Sequence, residues 1–267
     1  MAPSWEATLE AVQRFAALVA LPPADVDLGA GAFLIAEAGD PGIDLKPWQG
    51  QLDVWADGIG DLDALRHRLF AELGLRGATS DYYNPANSFL HRVMARRVGI
   101  PISLSVLAME VGWRAGVALE GVGMPGHFLL RVPHSGVYLD AFAGGAVLTE
   151  AGCEARFRES TGAGPEIEFG SHLLQAVGAQ AILGRMLANL ASIYQLRRAG
   201  RDLEWVARMQ LALPGAGVAE ALMLAGAIEL QGRFGDAARE LERRAEARPE
   251  LAPQLTAAAN ALRSRNN

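Results

Sequence analysis

Residues 82–117 read YYNPANSFLHRVMARRVGIPISLSVLAMEVGWRAGV; MPGHFLLRV follows at 124–132 and GVYLDAF at 136–142. The opening TSDYYNPAN at 79–87 is polar, and Asn84-Pro85 is a turn signal. One helix is expected over 87–97, closed by Gly99, and a second over 102–115, ending near Gly116. Pro101 suits the first turn of the second helix, where its missing N–H would have no partner anyway. The period then falls from 3.6 to 2. Strands are expected at Val117–Val122, Phe128–Val132 and Val137–Ala141, with a shorter one at Ala146–Leu148. Pro133-His134-Ser135-Gly136 makes a tight hairpin between the second and third. His127 opens one strand of that hairpin and Asp140 closes the other.

A helix N-terminus followed by a His and an Asp on neighbouring strands is a layout for nucleophilic catalysis. A thiolate at the positive end of the helix dipole meets an imidazole whose tautomer a carboxylate fixes. The one cysteine, Cys153, comes after the His and the Asp instead of before them. The helix start offers Ser103 instead. A half-charge dipole cannot sustain an alkoxide, so a serine there needs a general base in contact. The plainer reading has Ser103 or Ser105 capping orphan N–H groups in the first turn. For His127 and Asp140 the bland readings are a hydrogen-bonded core histidine and a strand-end turn acid. Their placement on adjacent antiparallel strands favours a pair.

Asn84 and Asn87 flank the turn. Asn87-Ser88 fits as an N-cap; the sharper alternative puts an Asn amide at the pocket as an orienter or oxyanion donor. Tyr82 and Tyr83 either line that pocket or pack beside it, and His91 reads as structural. His67, His134 and His172 have no metal-ligand spacing with one another or with His127. GAGAF at 29–33 lacks the strand–loop–helix context of a dinucleotide site, so neither a metal nor a cofactor is expected.

About half of the 267 residues are hydrophobic, enough for a sizeable core, and the net charge of −6 argues against a nucleic-acid partner. Glu6 and Glu10 interrupt the N-terminal apolar run, and no window reaches the roughly 18 uncharged apolar residues a membrane span needs. Neither a secretory leader nor a membrane partner is expected, and a single cysteine excludes an internal disulfide, so the cytoplasm is the default compartment.

Upstream of the turn, helices are expected at 4–20 (Ser4 as N-cap), 28–38, 47–58 and 61–73, the last capped by Asp61 and closed by Gly74. Residues 151–168, Gly-rich and without period, read as a linker. From 171 onward the chain reads as helices at 173–198, 202–212, 217–232, 234–247 and 250–264. The stretch LAGAIELQGRFGDAARELERRAEARP at 224–249 has the spacing of one tetratricopeptide unit, with Leu224, Ala225 and Ile228 on its first helix and Ala237 and Leu241 on its second.

The blocks at 84–117, 121–132 and 138–142 closely resemble the SirB-type family of bacterial transglutaminase-like proteins, and 181–214 is similar to that family's segment after the core. The resemblance covers about residues 28–250. It implies an α+β fold: a transglutaminase-like (papain-like) core with a small antiparallel sheet packed on the 102–115 helix, then an α-helical, tetratricopeptide-like tail. The implied domains are 1–168, including the N-terminal helices, and 169–267. The superfamily uses Cys, His and Asp in that chain order. By position His127 matches the histidine and Asp140 the aspartate. The cysteine position falls at Ser103 or, by helix length, at Pro101, and neither is a cysteine.

The leading expectation is therefore a core without thiol catalysis, acting as a binding or regulatory module whose helical tail meets a protein partner. The alternative is a serine-dependent hydrolase or acyltransferase with Ser103 as nucleophile, His127 as base and Asp140 as its orienter. A third reading makes the His–Asp pair purely structural. Tyr83, Asn84 and Asn87 are the expected pocket residues.

Overall fold

The structure, a computed structural model, describes residues 5–265, so the expected cap Ser4 lies outside the described residues. The chain opens with α1 (Trp5–Val19), α2 (Leu28–Gly39) and α3 (Lys46–Ala56). Then α4 (Leu62–Arg66) runs into a π-helical turn at His67–Glu72. The signals at both ends of this segment operate: the Asp61 carboxylate accepts the Ala64 N–H at 2.8 Å, and Gly74 turns the chain at φ +67°.

A two-residue strand β1 (Arg76–Gly77) comes next, then α5 (Leu90–Arg96), β2 (Val98–Gly99) and α6 (Pro101–Arg114). β1 and β2 pair in parallel, Gly77 opposite Gly99. The expected boundaries around α5 shift. Asn87 does not cap it, because Pro85–Asn87 forms a separate 3-10 turn that Asn84 caps by accepting the Ala86 N–H at 2.9 Å. Arg97, in the left-handed region at φ 60°, ends α5 where Gly99 was expected to. Helix α6 is buried nearly all round, through Ile102, Leu104, Val106, Leu107 and Val111, as expected of a helix enclosed by other elements.

Four three-residue strands follow: β3 (Glu120–Val122), β4 (Leu129–Arg131), β5 (Tyr138–Asp140) and β6 (Ala146–Leu148). They form one antiparallel sheet in chain order, with Val122 opposite Leu129, Leu130 opposite Leu139 and Asp140 opposite Ala146. β3 starts later than Val117 because the Val117 N–H still donates to Gly112 at the end of α6, at 2.7 Å. α6 packs against β3 and β4.

The expected linker is a helix. α7 (Glu150–Thr161) is capped by Thr149, whose hydroxyl accepts the Gly152 N–H at 3.4 Å, and closed by Gly162 at φ +70°. It buries only Cys153 and Phe157, an i, i+4 pair too sparse to mark a period among charges and glycines. These two join Val122, Met124, Leu129 and Leu174 in a cluster on one face of the sheet. Burying Phe157 alone stabilises by roughly 1.5–3 kcal/mol.

The remaining elements are α8 (Ala179–Leu196), α9 (Gly200–Ala212), α10 (Val218–Glu229), α11 (Phe234–Ala247) and α12 (Ala252–Arg265). Before α8, Ser171–Leu174 is a 3-10 turn and Ala176 bridges to Val122, so the helix expected from 173 begins later. The chain divides into two compact units. One takes in the described residues of Met1–Val26, Glu37–Gly42 and Leu183–Asn267; the other is Asp27–Ala36 and Ile43–Ile182. The first joins both ends of the chain, with α1 packed on α9 and the Arg201 guanidinium 5.3 Å from the Trp5 ring centroid. Its core interlocks Leu224 and Ile228 of α10, Leu241 of α11, and Leu255 and Leu262 of α12. Among the described residues no helix is long and apolar enough to cross a membrane.

Candidate functional site

His127 leaves the Pro125-Gly126 turn at the mouth of β4. Gly126 sits at φ +73°, and a Cβ there would lie 2.7 Å from the Ser160 hydroxyl, so the turn presses on the end of α7. The register of Leu130 opposite Leu139, continued past the strand end, sets His127 opposite Phe142 and diagonal to Asp140 on the same face. The side chains meet there. His127 Nε2 lies 3.0 Å from Asp140 Oδ1, with the imidazole nearly buried and the carboxylate fully so. An ionised carboxylate accepts only, so that nitrogen carries the proton.

Asp140 is held from several sides. Its Oδ1 also accepts the Phe142 and Ala143 N–H groups, at 3.0 and 3.1 Å. Its Oδ2 faces Arg156 Nε of α7 at 2.9 Å, close enough for an ion pair but without hydrogen-bond alignment. Burial pushes the carboxyl pKa up. The hydrogen bond and charge of His127, the Ala143 amide and the Arg156 guanidinium together outweigh it, and the net result is a pKa below the usual carboxylate value.

The wall beside the imidazole is aromatic. The Phe142 ring stands edge-on to His127 at 6.1 Å, Tyr82 edge-on to Phe142 at 6.2 Å, and Tyr83 against Tyr82 at 5.4 Å. Gly77 makes room for this wall, since a Cβ there would meet the Phe142 ring at 2.6 Å. Tyr83 is 63 % exposed and connects to the imidazole through Tyr82 and Phe142.

The two asparagines organise the turn. Asn84 donates to Asp81 Oδ2 at 2.7 Å. Asn87, fully buried, donates to the carbonyls of Asp81 and Tyr82 at 2.6 and 3.3 Å and accepts from Arg96 at 3.0 Å. Its amide is committed to the backbone that carries Tyr82.

Ser103 is also fully buried. Its hydroxyl donates to the Asn87 carbonyl at 2.6 Å and accepts the Ile100 N–H at 3.1 Å, the back-reach of a residue in the first helical turn. It ties α6 to the 79–87 turn, and no hydrogen bond links it to His127. Cys153 is buried beneath the sheet, where burial first, then Glu150 and Asp140, push its pKa up to about 11. That favours the unreactive thiol. Among the described residues no group of three or more His, Cys, Asp or Glu side chains could hold a metal ion.

The structure therefore brings His127 and Asp140 together, keeps Asn84 and Asn87 in the supporting turn with Ser103 of α6 bonded to it, and adds Arg156 and Phe142, which the sequence reading missed. Arg156 was hidden in the expected linker. The flanking signals Thr149 and Gly162 would have exposed its helix.

A family model described as Transglutaminase-like superfamily matches residues 46–188. A UPF0162 protein of Xylella fastidiosa (strain Temecula1) is 40% identical over 134 residues, 49% of this chain and 48% of that protein. A UPF0162 protein of Vibrio cholerae is 32% identical over 133 residues, 49% of this chain and 48% of its own length. F-box only protein 21 of Mus musculus is 36% identical over 161 residues, 53% of this chain and 24% of its own length. The chain thus spans about half the length of the bacterial relatives and about a quarter of the mouse one. No solved structure gives a significant match.

Proposed function

Because this chain belongs to the Transglutaminase-like superfamily, we propose that it is a member whose core no longer performs thiol catalysis and serves as a binding or regulatory module. The observation that carries this reading is the engagement of Ser103. A serine nucleophile must pass its proton to a general base, yet this hydroxyl points at the Asn87 carbonyl, 2.6 Å away, which is no base. Cys153, a buried thiol, supplies no substitute. His127, oriented by Asp140 and Arg156 beside Phe142 and Tyr82, remains as an aromatic-walled polar group for recognition, with Tyr83 at its rim.

The order of the sequence blocks supports a place in the SirB-type family. The close pairing of α10 with α11 through Ala225, Ile228, Ala237 and Leu241 supports a tetratricopeptide-like tail that meets a protein partner. Functionally we divide the chain after residue 168, between the close of α7 and the start of α8. By packing, α1 goes with the tail unit. The negative net charge and the single cysteine fit a cytoplasmic protein with no nucleic-acid partner.

The test is treatment of the folded chain with a fluorophosphonate and with iodoacetamide. Neither is expected to label it. Fluorophosphonate labelling that disappears in Ser103→Ala would establish the serine-dependent hydrolase or acyltransferase instead.

A further inference from the structure

Trp113, on the last turn of α6, is 76 % exposed, and it borders an open depression of about 630 Å³ whose lining includes neither His127 nor Asp140. The other wall is the end of α3, with Asp53, Ala56 and Asp57, followed by Ile59. Tryptophan is among the residue types most enriched at binding hot spots, and here it stands in water beside a concavity. Val54, next to Asp53 on α3, is also exposed, at 62 %.

The electrostatics specify what fits. Helices α3 and α6 both end at this depression, with caps at Asp57 and Ala115, so two dipole ends carrying partial negative charge converge there. Among the described residues lining it the one cation, Arg114, is already engaged by Asp53 at 2.9 Å and Glu110 at 2.8 Å. Among the described residues the Asp57 side chain has no ion-pair or hydrogen-bond partner, so its charge is uncompensated. The Arg114 guanidinium lies 5.4 Å from the Trp113 ring centroid, which shows that the ring accepts a cation, and its exposure leaves room for another.

We propose that this depression docks an arginine or lysine side chain from an extended segment of a partner protein. The cationic head lies between Trp113 and Asp57, and a neighbouring aliphatic residue covers Val54. The proposal is independent of the His127 site and of the tail, so either can fail without the other.

The test is titration calorimetry of the full chain, at low salt, with capped pentapeptides Ala-Leu-Xaa-Leu-Ala in which Xaa is arginine, citrulline or glutamate. The arginine peptide is expected to bind about tenfold more tightly than the citrulline peptide, which keeps shape without charge, and the glutamate peptide not at all. Trp113→Ser and Asp57→Asn are each expected to weaken the arginine peptide about fivefold with an unchanged melting temperature, since both side chains are exposed. Equal affinity for arginine and citrulline peptides, no heat from the arginine peptide, or full affinity in both variants would overturn the proposal. Argininamide binding as tightly as the peptide would also overturn it, because the site would then take a small cation and not a partner segment.

Discussion

Arg156 Nε stands 2.9 Å from Asp140 Oδ2, so a helix absent from the sequence reading supplies the countercharge to the carboxylate that orients His127. Asp140 is fully buried, whereas the Arg156 side chain keeps 28% of its exposure. Truncating the guanidinium leaves a buried charge partly uncompensated. Arg156→Gln is expected to cost about 1–2 kcal/mol at neutral pH, below the full value for a buried pair because the contact is misaligned and partly solvated. Urea denaturation of parent and variant measures it.

The same contact sets a pH dependence. The Asp140 pKa is lowered on folding, so its ionisation stabilises the fold at pH above the unfolded value of about 3.9. That stability is lost as pH falls further, through the lower folded-state pKa. Arg156→Gln removes one of the influences that lower it, so in the variant the loss is smaller and is complete at a higher pH. The stability contribution from Asp140 ionisation is expected to vanish in Asp140→Asn. Denaturation curves between neutral pH and pH of about 3 test this; an unchanged acid limb in Asp140→Asn would contradict it.

Ser103→Ala removes the acceptor for the Ile100 N–H and the donor to the Asn87 carbonyl, both in a buried setting. A destabilisation of about 1–3 kcal/mol is expected, with chemical labelling no different from the parent. Normal stability together with lost fluorophosphonate labelling would make Ser103 a nucleophile.

Cys153 should resist thiol reagents. With its pKa pushed up to about 11, roughly one molecule in a thousand carries a thiolate at pH 8. Ellman's reagent is expected to react very slowly with the folded chain and fully once urea is added. Fast reaction in the native state would show an accessible thiolate.

The α7 assignment has its own check. Phe157→Ala is expected to cost about 3–5 kcal/mol, as for a buried aromatic, and trypsin should spare Arg156 and Arg158 in the folded chain. Rapid cleavage there, with little effect from Phe157→Ala, would restore the linker.

Much of the core was legible. The long apolar periodicity of α6 and the alternating strands around the 133–136 turn place His127 and Asp140 on adjoining antiparallel strands. The side-chain partners were less legible. Asn87 looked like a helix cap because Asn-Ser before an apolar run is a good one; the chain instead makes a 3-10 turn there and buries the amide against its own backbone. Ser103 read first as a cap and only second as a nucleophile, since a first-turn hydroxyl serves either role.

From its own order the chain determines the local devices: helical and strand periods, the hairpin and its register, and hence the meeting of one imidazole with one carboxylate. Folding in three dimensions decided the rest. Packing of Cys153 and Phe157 under the sheet brings Arg156 to Asp140, and the 79–87 turn captures the Ser103 hydroxyl. The reason is physical. Periodicity records which face of an element is buried, whereas the partner of a polar group depends on which remote segment packs there, and that is settled by the fit of the whole core.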